Sequence, residues 1–231
     1  NRNGYMGFSV DLKPWICYGQ ENLIKIDVDN SNQPNSRWYT GSGIYRDVNL
    51  WTGKGVYIPH DEMKITTLSV NDDVAVVEVC VNLKNTEACG IEAKCYVELI
   101  FEGKTVVTEK QNIVFYAERK ETVRVQLPVK CPKKWSTDHP NLYQCCVKTY
   151  IGNEICDEYT VDFGIRTLTL DPVNGFQING ETVNLRGTCI HHDNGVIGAE
   201  TFPEAEWYRC KRLKEAGFNA IRSSHHPMSR A

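Results

Sequence analysis

Seven short runs of alternating apolar and polar residues, at nearly regular spacing, constrain the fold of this chain more than any other feature. Gly, Pro, Asn and Asp separate the runs, as is typical of short strands joined by turns. Seven strands within about 100 residues is the number found in an immunoglobulin-like β-sandwich. We therefore predict such a domain over about 61–165. The runs are Lys64–Val70, Val74–Leu83, Ile91–Phe101, Thr105–Phe115, Glu121–Leu127, Leu142–Tyr150 and Glu158–Ile165.

The run Asp73–Leu83 shows the alternation most clearly. Because successive side chains of a strand point to opposite faces, its residues divide into two sets. One set is apolar, and the other contains Glu78 and Asn82 with Cys80 between them. The pattern predicts a half-buried strand. The apolar set is Ala75, Val77, Val79, Val81 and Leu83.

Tyr143 heads one of these strands, directly after a corner that contains Pro140. Two interpretations are open. In a tyrosine corner the hydroxyl binds the backbone of the corner; otherwise Tyr143 is an ordinary aromatic residue of the core. Both roles are structural.

The composition is that of a globular protein with a sizeable core. The chain has 231 residues, 41% of them hydrophobic and 24% charged, and a net charge of −3. This length suggests one large or two modest domains. The composition excludes disorder, collagen and coiled coil. The charge argues against nucleic acid as a partner, and no stretch approaches the roughly 20 apolar residues of a membrane span.

The ten cysteines do not follow a metal or disulfide pattern. No CxxC pair occurs, and several cysteines, such as Cys80, Cys95 and Cys145, lie inside strand-like runs, so we expect most to be free, packed thiols. The alternative, if the protein is exported, is that one or two disulfide bonds form. The chain opens mid-pattern at Asn1 without a signal peptide or an initiator methionine, which leaves the compartment open between periplasmic, secreted and cytoplasmic.

The pattern differs on either side of the predicted sandwich. Strand-like runs precede it at Tyr5–Leu12, Asn22–Asp29 and Ile44–Trp51. After residue 165, Asn179-Gly180 predicts a two-residue hairpin turn. The run NLRGTCIHH, a helix at Pro203–Ala216 and the run FNAIRSSHH then form a βαβ unit with a parallel pair of strands.

The helix has clear start and stop signals. Pro203 lies in its first turn with Glu204 and Glu206, and Gly217 is placed to end it. The spacing of Trp207, Cys210 and Leu213 predicts a stripe that is buried in a complete domain and that, in a truncated one, lies open or finds a substitute partner. Because two parallel strands cannot bury themselves, we expect the segment 166–231 to be the truncated start of a larger α/β domain, such as a barrel.

Histidine pairs end both strands of the predicted βαβ unit. His191 and His192, followed by Asp193, end the first strand, and His225 and His226 end the second. In α/β barrels the working residues sit at the carboxyl ends of strands, so the pattern predicts a functional site. A zinc site is the rival interpretation, with one histidine of each pair plus Asp193 as ligands. Arg222 either binds a substrate or pairs with a carboxylate.

Three stretches resemble glycoside hydrolase family 2, the family of β-galactosidases, β-glucuronidases and β-mannosidases. They are SRWYTGSGIYRDVNLW at Ser36–Trp51, NLRGTCIHHDNGVIGA at Asn184–Ala199 and GFNAIRSSHHP at Gly217–Pro227. The third is similar to the family signature N-x-[apolar]-R-[small]-[small]-H-Y-P, and His226 departs from its usual Tyr. Together the first two most resemble the β-galactosidase branch.

The resemblance implies a mainly β chain of three parts. These are the end of a jelly-roll β-sandwich at 1–60, an immunoglobulin-like β-sandwich at 61–165 and the first βαβ of a truncated (β/α)8 barrel at 166–231. It also implies retaining hydrolysis of terminal β-linked sugars by two glutamates, both expected beyond Ala231. Glu200, Glu204, Glu206 and Glu215 are predicted in a loop and a helix, not at strand ends, and we assign them no catalytic role.

The resemblance also implies which residues contact the sugar. His191 and His225 match the two histidines that donate hydrogen bonds to sugar hydroxyls, Asp193 and Arg222 are second choices, and Asn35 or a near neighbour matches a position that reaches the sugar pocket. The implied partner is a β-galactoside-like carbohydrate. No cofactor is expected in this stretch, while a divalent or monovalent cation and a homo-oligomer stay open for the complete enzyme. The competing class is a non-catalytic carbohydrate-binding or interaction module, which has no need for a His-ended βαβ unit.

Overall fold

The structure is a computed structural model that describes residues 6–31, 43–191, 194–198, 200–224 and 228. The chain divides into two compact units. One consists of residues 50–184, and the other combines 1–49 with 185–231. The described part contains no helix with the length and hydropathy that a membrane crossing requires.

The unit 50–184 contains a β-sandwich of two antiparallel sheets. Its strands are β1 Val56–Tyr57, β2 Met63–Val70, β3 Val74–Asn85, β4 Ile91–Phe101, β5 Lys104–Phe115, β6 Lys120–Lys130, β7 Tyr143–Ile151 and β8 Glu154–Phe163. In the first sheet β6 lies along one side of β3, and β1 and β2 lie along the other. The second sheet has the order β5-β4-β7-β8.

The core of the sandwich confirms the predicted alternation. The apolar residues of β3 that were expected on one face are all fully buried. On its opposite face Glu78 accepts a hydrogen bond from Arg124 at 2.6 Å. Side chains of β4, β6 and β7 complete one continuous cluster. All seven predicted runs are strands, and these are β2 to β8.

The short strand β1 contacts both sheets. It pairs with the end of β3, where Val56 lies opposite Asn85. The Val56 carbonyl oxygen accepts a hydrogen bond from the Thr149 hydroxyl of β7 at 2.9 Å. The Ile58 amide, just beyond β1, donates to the Asp157 carboxylate of β8 at 2.8 Å. This segment therefore joins the two layers at one end of the sandwich.

Tyr143 forms a tyrosine corner, which decides between the two roles left open for it. Its hydroxyl accepts a hydrogen bond from the Lys133 backbone amide at 2.8 Å, and the residue is only 2% exposed. The ring packs against Phe101 and Phe163, with centroid distances of 4.6 and 5.8 Å. Burial raises the pKa of the phenol. The hydroxyl thus fixes the loop that leads into β7.

Replacing Tyr143 by phenylalanine is expected to destabilise the sandwich by about 1–3 kcal/mol, because the Lys133 amide loses its buried acceptor. Urea unfolding followed by tryptophan fluorescence measures the change. The matched control is Tyr150→Phe on the half-buried outer face of β7, expected to change stability by less than about 0.5 kcal/mol. Equal losses in the two variants would contradict the tyrosine corner.

All ten cysteines are free thiols in the structure, but only some are packed as predicted. Cys95, Cys145 and Cys146 are buried, whereas Cys89 and Cys131 are exposed. Burial raises the pKa of both Cys95 and Cys145 to about 12. These two thiols are therefore protonated and shielded at neutral pH.

Alkylation by iodoacetamide is expected to separate the two classes of thiol. The thiolate is the reacting form, and a pKa of about 12 leaves very little of it at Cys95 and Cys145 at pH 8. In the folded protein both should react at least about 100-fold more slowly than Cys131, because reaction requires opening of the core. Peptide mass spectrometry measures the rates, with the urea-unfolded protein as the control. Similar rates for Cys95 and Cys131 in the folded state would argue against this packing.

A small antiparallel sheet follows the sandwich within the same unit. It consists of β9 Leu168–Asp171, β10 Gly175–Ile178 and β11 Glu181–Thr182. Asn179 and Gly180 join β10 to β11 with φ angles of 55° and 82°, which confirms the predicted two-residue turn. The Asn179 side chain also donates to the Trp135 carbonyl at 2.9 Å. The sheet is therefore bound to the loop before β7.

The predicted βαβ unit is present in the second compact unit. It consists of β12 Gly187–Ile190, the helix α1 Pro203–Glu215 and β13 Ala220–Ser223, and the two strands are parallel. A 3-10 turn at Gly195–Ile197 lies between β12 and α1. Gly217 has a φ angle of 88°, and the Phe218 amide donates to the Leu213 carbonyl at 3.0 Å, so the helix ends in a Schellman motif.

The predicted apolar stripe of the helix lies largely open, as expected for a truncated domain. Trp207 is 64% exposed and Cys210 is exposed, whereas Glu206 is buried at 8% exposure and Arg209 and Leu213 are half-buried. Polar contacts of Glu206 and Arg209 with the connection from β12 orient the helix. Hydrophobic spacing alone could not reveal this.

The early strands are a difference from the prediction. The described residues 6–31 and 43–55 contain no strand, although runs within Tyr5–Leu12, Asn22–Asp29 and Ile44–Trp51 were predicted as strands. A strand needs a neighbour for its backbone hydrogen bonds, and these runs pair with no other strand in the described chain. The jelly-roll assignment of residues 1–60 stays a prediction, as do the other two domain bounds.

Candidate functional site

The candidate site lies where β12 and β13 end. Ile190, the last residue of β12, lies opposite Ser223 in the parallel register. The Ser224 amide donates to the Ile190 carbonyl at 2.9 Å, and Ser224 is buried. The backbone therefore brings the two carboxyl ends together, as the βαβ pattern predicts.

His191 is the candidate sugar-binding residue that the structure describes most fully. It follows β12 directly and its side chain is exposed. Its carbonyl oxygen accepts a hydrogen bond from the Arg209 guanidinium of α1 at 2.9 Å. The residue is therefore exposed, while its backbone is bonded to the helix.

Three other predicted contact residues, His225, Asp193 and Asn35, lie outside the described residues, as do His192 and His226. The proximity of His191 and His225 therefore stays a prediction that is supported by the strand pairing alone. The assignment of all these residues as substrate contacts likewise stays a prediction.

Arg222 is described, and it lies beside a thiol. It pairs with Cys189 across the two strands, and its guanidinium lies 3.6 Å from the Cys189 sulfur. The hydrogen bond from Arg222 makes the largest contribution to lowering the pKa of this exposed thiol, and a hydrogen bond from Ser224 lowers it further. Within the described chain Arg222 forms no ion pair with a carboxylate, so the predicted carboxylate partner is not found there.

The described residues contain no group of three His, Cys, Asp or Glu side chains that could hold a metal ion. Of the candidate ligands of the alternative zinc site, the structure describes His191. The others, His192, Asp193, His225 and His226, lie outside the described residues.

Sequence reasoning missed Arg209 and treated Glu206 only as an acidic residue of the first helical turn. Both side chains contact the connection between β12 and α1. One signal was present, since Glu206 and Arg209 are oppositely charged and three residues apart, and such residues share one helix face.

The comparison with known families decides the relationship. Residues 56–166, which span the whole sandwich, match the model of glycosyl hydrolases family 2. The chain belongs to this family.

Relatives in family 2 match nearly the whole chain. A β-galactosidase of Bacteroides ovatus is 36% identical over 225 residues, which are 97% of this chain and 26% of that protein. A β-glucuronidase of Bacteroides fragilis is 28% identical over 240 residues, covering 99% of this chain and 34% of the relative. The chain thus spans about a quarter to a third of the length of these family 2 proteins.

Solved structures of family 2 share the fold. A family member from Bacteroides cellulosilyticus superimposes with a TM-score of 0.80 at 36% identity, covering 88% of this chain and 28% of that one. A β-glucuronidase of Bacteroides uniformis gives a TM-score of 0.79 at 27% identity, with coverages of 88% and 26%. Family 2 is a family of O-glycosyl hydrolases, and the sandwich described above is a domain of it.

Proposed function

We propose that this chain contributes the immunoglobulin-like sandwich and the first βαβ of the catalytic barrel to a retaining β-glycosidase. The single observation that carries the proposal is the match to family 2 relatives over 97% of the chain, at 36% identity to a β-galactosidase. The position of His191 at the carboxyl end of a parallel strand supports it, because barrel enzymes bind substrate at that end.

The proposed substrate is a carbohydrate with a terminal β-linked sugar. A β-galactoside is the first choice, because the relative with 36% identity is a β-galactosidase. A β-glucuronide is the second, because relatives at 35% and 28% identity are named "putative β-glucuronidase" and "β-glucuronidase".

The proposed role of His191 and His225 is to donate hydrogen bonds to sugar hydroxyls. Such bonds accelerate hydrolysis only if they strengthen as the oxocarbenium-like transition state forms. The chemistry itself requires two carboxyl groups about 5–5.5 Å apart. We place both glutamates in a part of the enzyme beyond this chain.

The test is to express the complete protein in which this chain occurs and to assay aryl β-galactosides, β-glucuronides and β-mannosides. We expect hydrolysis of at least one of them with retention of the anomeric configuration, followed by NMR. A complete protein that hydrolyses none of the three but binds carbohydrate would overturn the enzyme proposal and favour the binding module.

A further inference from the structure

We infer that Arg209 and Glu206 of α1 are positioning residues that hold His191 at the end of β12. The inference rests on the proposed function, because it concerns the residue that would contact the sugar. It adds two residues that never touch the substrate themselves and act only through the backbone that carries His191.

Arg209 connects the helix to the carboxyl end of the strand. One guanidinium nitrogen donates to the His191 carbonyl at 2.9 Å, and another donates to the Asn194 side-chain oxygen. The guanidinium also lies 3.7 Å from the Glu206 carboxylate, and its side chain is 21% exposed. A planar guanidinium holds two such acceptors in a fixed geometry, whereas a lysine ammonium presents its donors from a single flexible point.

Glu206 completes the network from the same face of the helix. Its carboxylate accepts a hydrogen bond from the Thr201 hydroxyl at 2.7 Å and lies 3.5 Å from the Asn194 side-chain nitrogen. That nitrogen also donates to Thr201 and to the Glu200 carbonyl. The contacts thus reach both ends of the described connection between β12 and α1.

The burial of these charges indicates that the network determines the local structure. Glu206 is 8% exposed, and a buried carboxylate is stable only when it is paired and hydrogen-bonded. Between Ile190 and Pro203 the described connection has only one short 3-10 turn, so few backbone hydrogen bonds of its own fix its course. The conformation at His191 therefore depends on the side chains of α1.

In the complete enzyme, Arg209→Ala is expected to lower kcat/KM by about 10- to 100-fold, because a displacement of about 1 Å at a substrate contact has an effect of that order. Arg209→Lys should lose less, since it keeps the charge but not the fork. Glu206→Gln should likewise lower kcat/KM less than Arg209→Ala does, because it keeps a hydrogen-bonding side chain of the same shape. The matched control is Arg212→Ala, which removes an exposed ion pair with Glu215 on the same helix, and we expect it to change activity less than about twofold.

A double-mutant cycle with His191→Ala separates positioning from general stabilisation. If Arg209 acts through His191, its replacement should change kcat/KM less than about twofold once the imidazole is absent. Additive effects of the two replacements would overturn the inference. An enzyme that keeps full activity in the Arg209→Ala variant would also overturn it.

Hydrogen exchange in the complete protein provides a readout independent of activity. Arg209→Ala should speed exchange of the amides at 194–201 at least about tenfold, and Arg212→Ala should leave it unchanged. Unchanged exchange in Arg209→Ala would overturn the inference but leave the proposed function standing. If exchange speeds up as expected but the complete protein is inactive on every glycoside, the proposed function fails, and with it the catalytic part of the inference.

Discussion

Expressed by itself, the 231-residue chain is expected to hydrolyse no aryl β-galactoside at an enzymatic rate. Retaining hydrolysis needs one carboxylic acid to protonate the glycosidic oxygen and one carboxylate to attack the anomeric carbon. The described residues that directly follow β12 and β13 are His191 and Ser224, which supply neither group. Glu204, Glu206 and Glu215 belong to α1.

The expected difference in rate is large, because we place in another part of the enzyme both carboxyl groups on which an acceleration of about 10⁶-fold or more depends. The assay measures release of the aryl group by chain purified from a host without β-galactosidase. The complete protein, prepared in the same way, is the positive control. Turnover by the short chain at about 1 s⁻¹ or faster would contradict the assignment of the catalytic carboxylates to another part of the enzyme.

In the complete protein, His191→Ala and His225→Ala are each expected to lower kcat/KM by about 30- to 1000-fold. Loss of a hydrogen bond that forms with the transition state in a buried polar site corresponds to about 2–4 kcal/mol. The parallel pairing of Ile190 with Ser223 is the physical ground for assigning both histidines to one site. The melting temperature should change little, since the His191 side chain is exposed.

His192→Ala is the matched control for this pair. Adjacent residues of an extended chain point to opposite sides, so we expect His192 to face away from the sugar and its loss to matter much less. If His192→Ala were the most damaging of the three replacements, the assignment of the site would be wrong. Parallel losses of kcat/KM and of melting temperature in His191→Ala would indicate a structural role instead.

The parts of the fold that could be predicted from sequence are those that local rules determine. The period of two in β3 identified its buried face because Val77 and Val79 must avoid water on one side only. Asn179 and Gly180 specified their turn because it requires positive φ at both positions. Gly217 ended the helix for the same reason.

What could not be predicted depends on partners far away in the sequence or on polar contacts. The periodicity of the runs before residue 52 is that of strands, but no neighbouring strand in the described chain accepts their hydrogen bonds. The spacing of Trp207 and Cys210 identified the apolar stripe of the helix, but it could not show that Glu206 and Arg209 bond to the connection from β12. Sequence could place His191 at a strand end, but it could not show what holds its backbone.

The contacts of β1 also determine when the sandwich can close during synthesis. The Ile58 amide and its acceptor on Asp157 are 99 positions apart. A ribosome adds about 5–20 residues per second, so this segment waits roughly 5–20 s before its partners on β7 and β8 exist. During that interval Val56, fully buried in the finished domain, is open to water and to chaperones. The nascent chain thus stays vulnerable to aggregation until its last sandwich strand has left the exit tunnel.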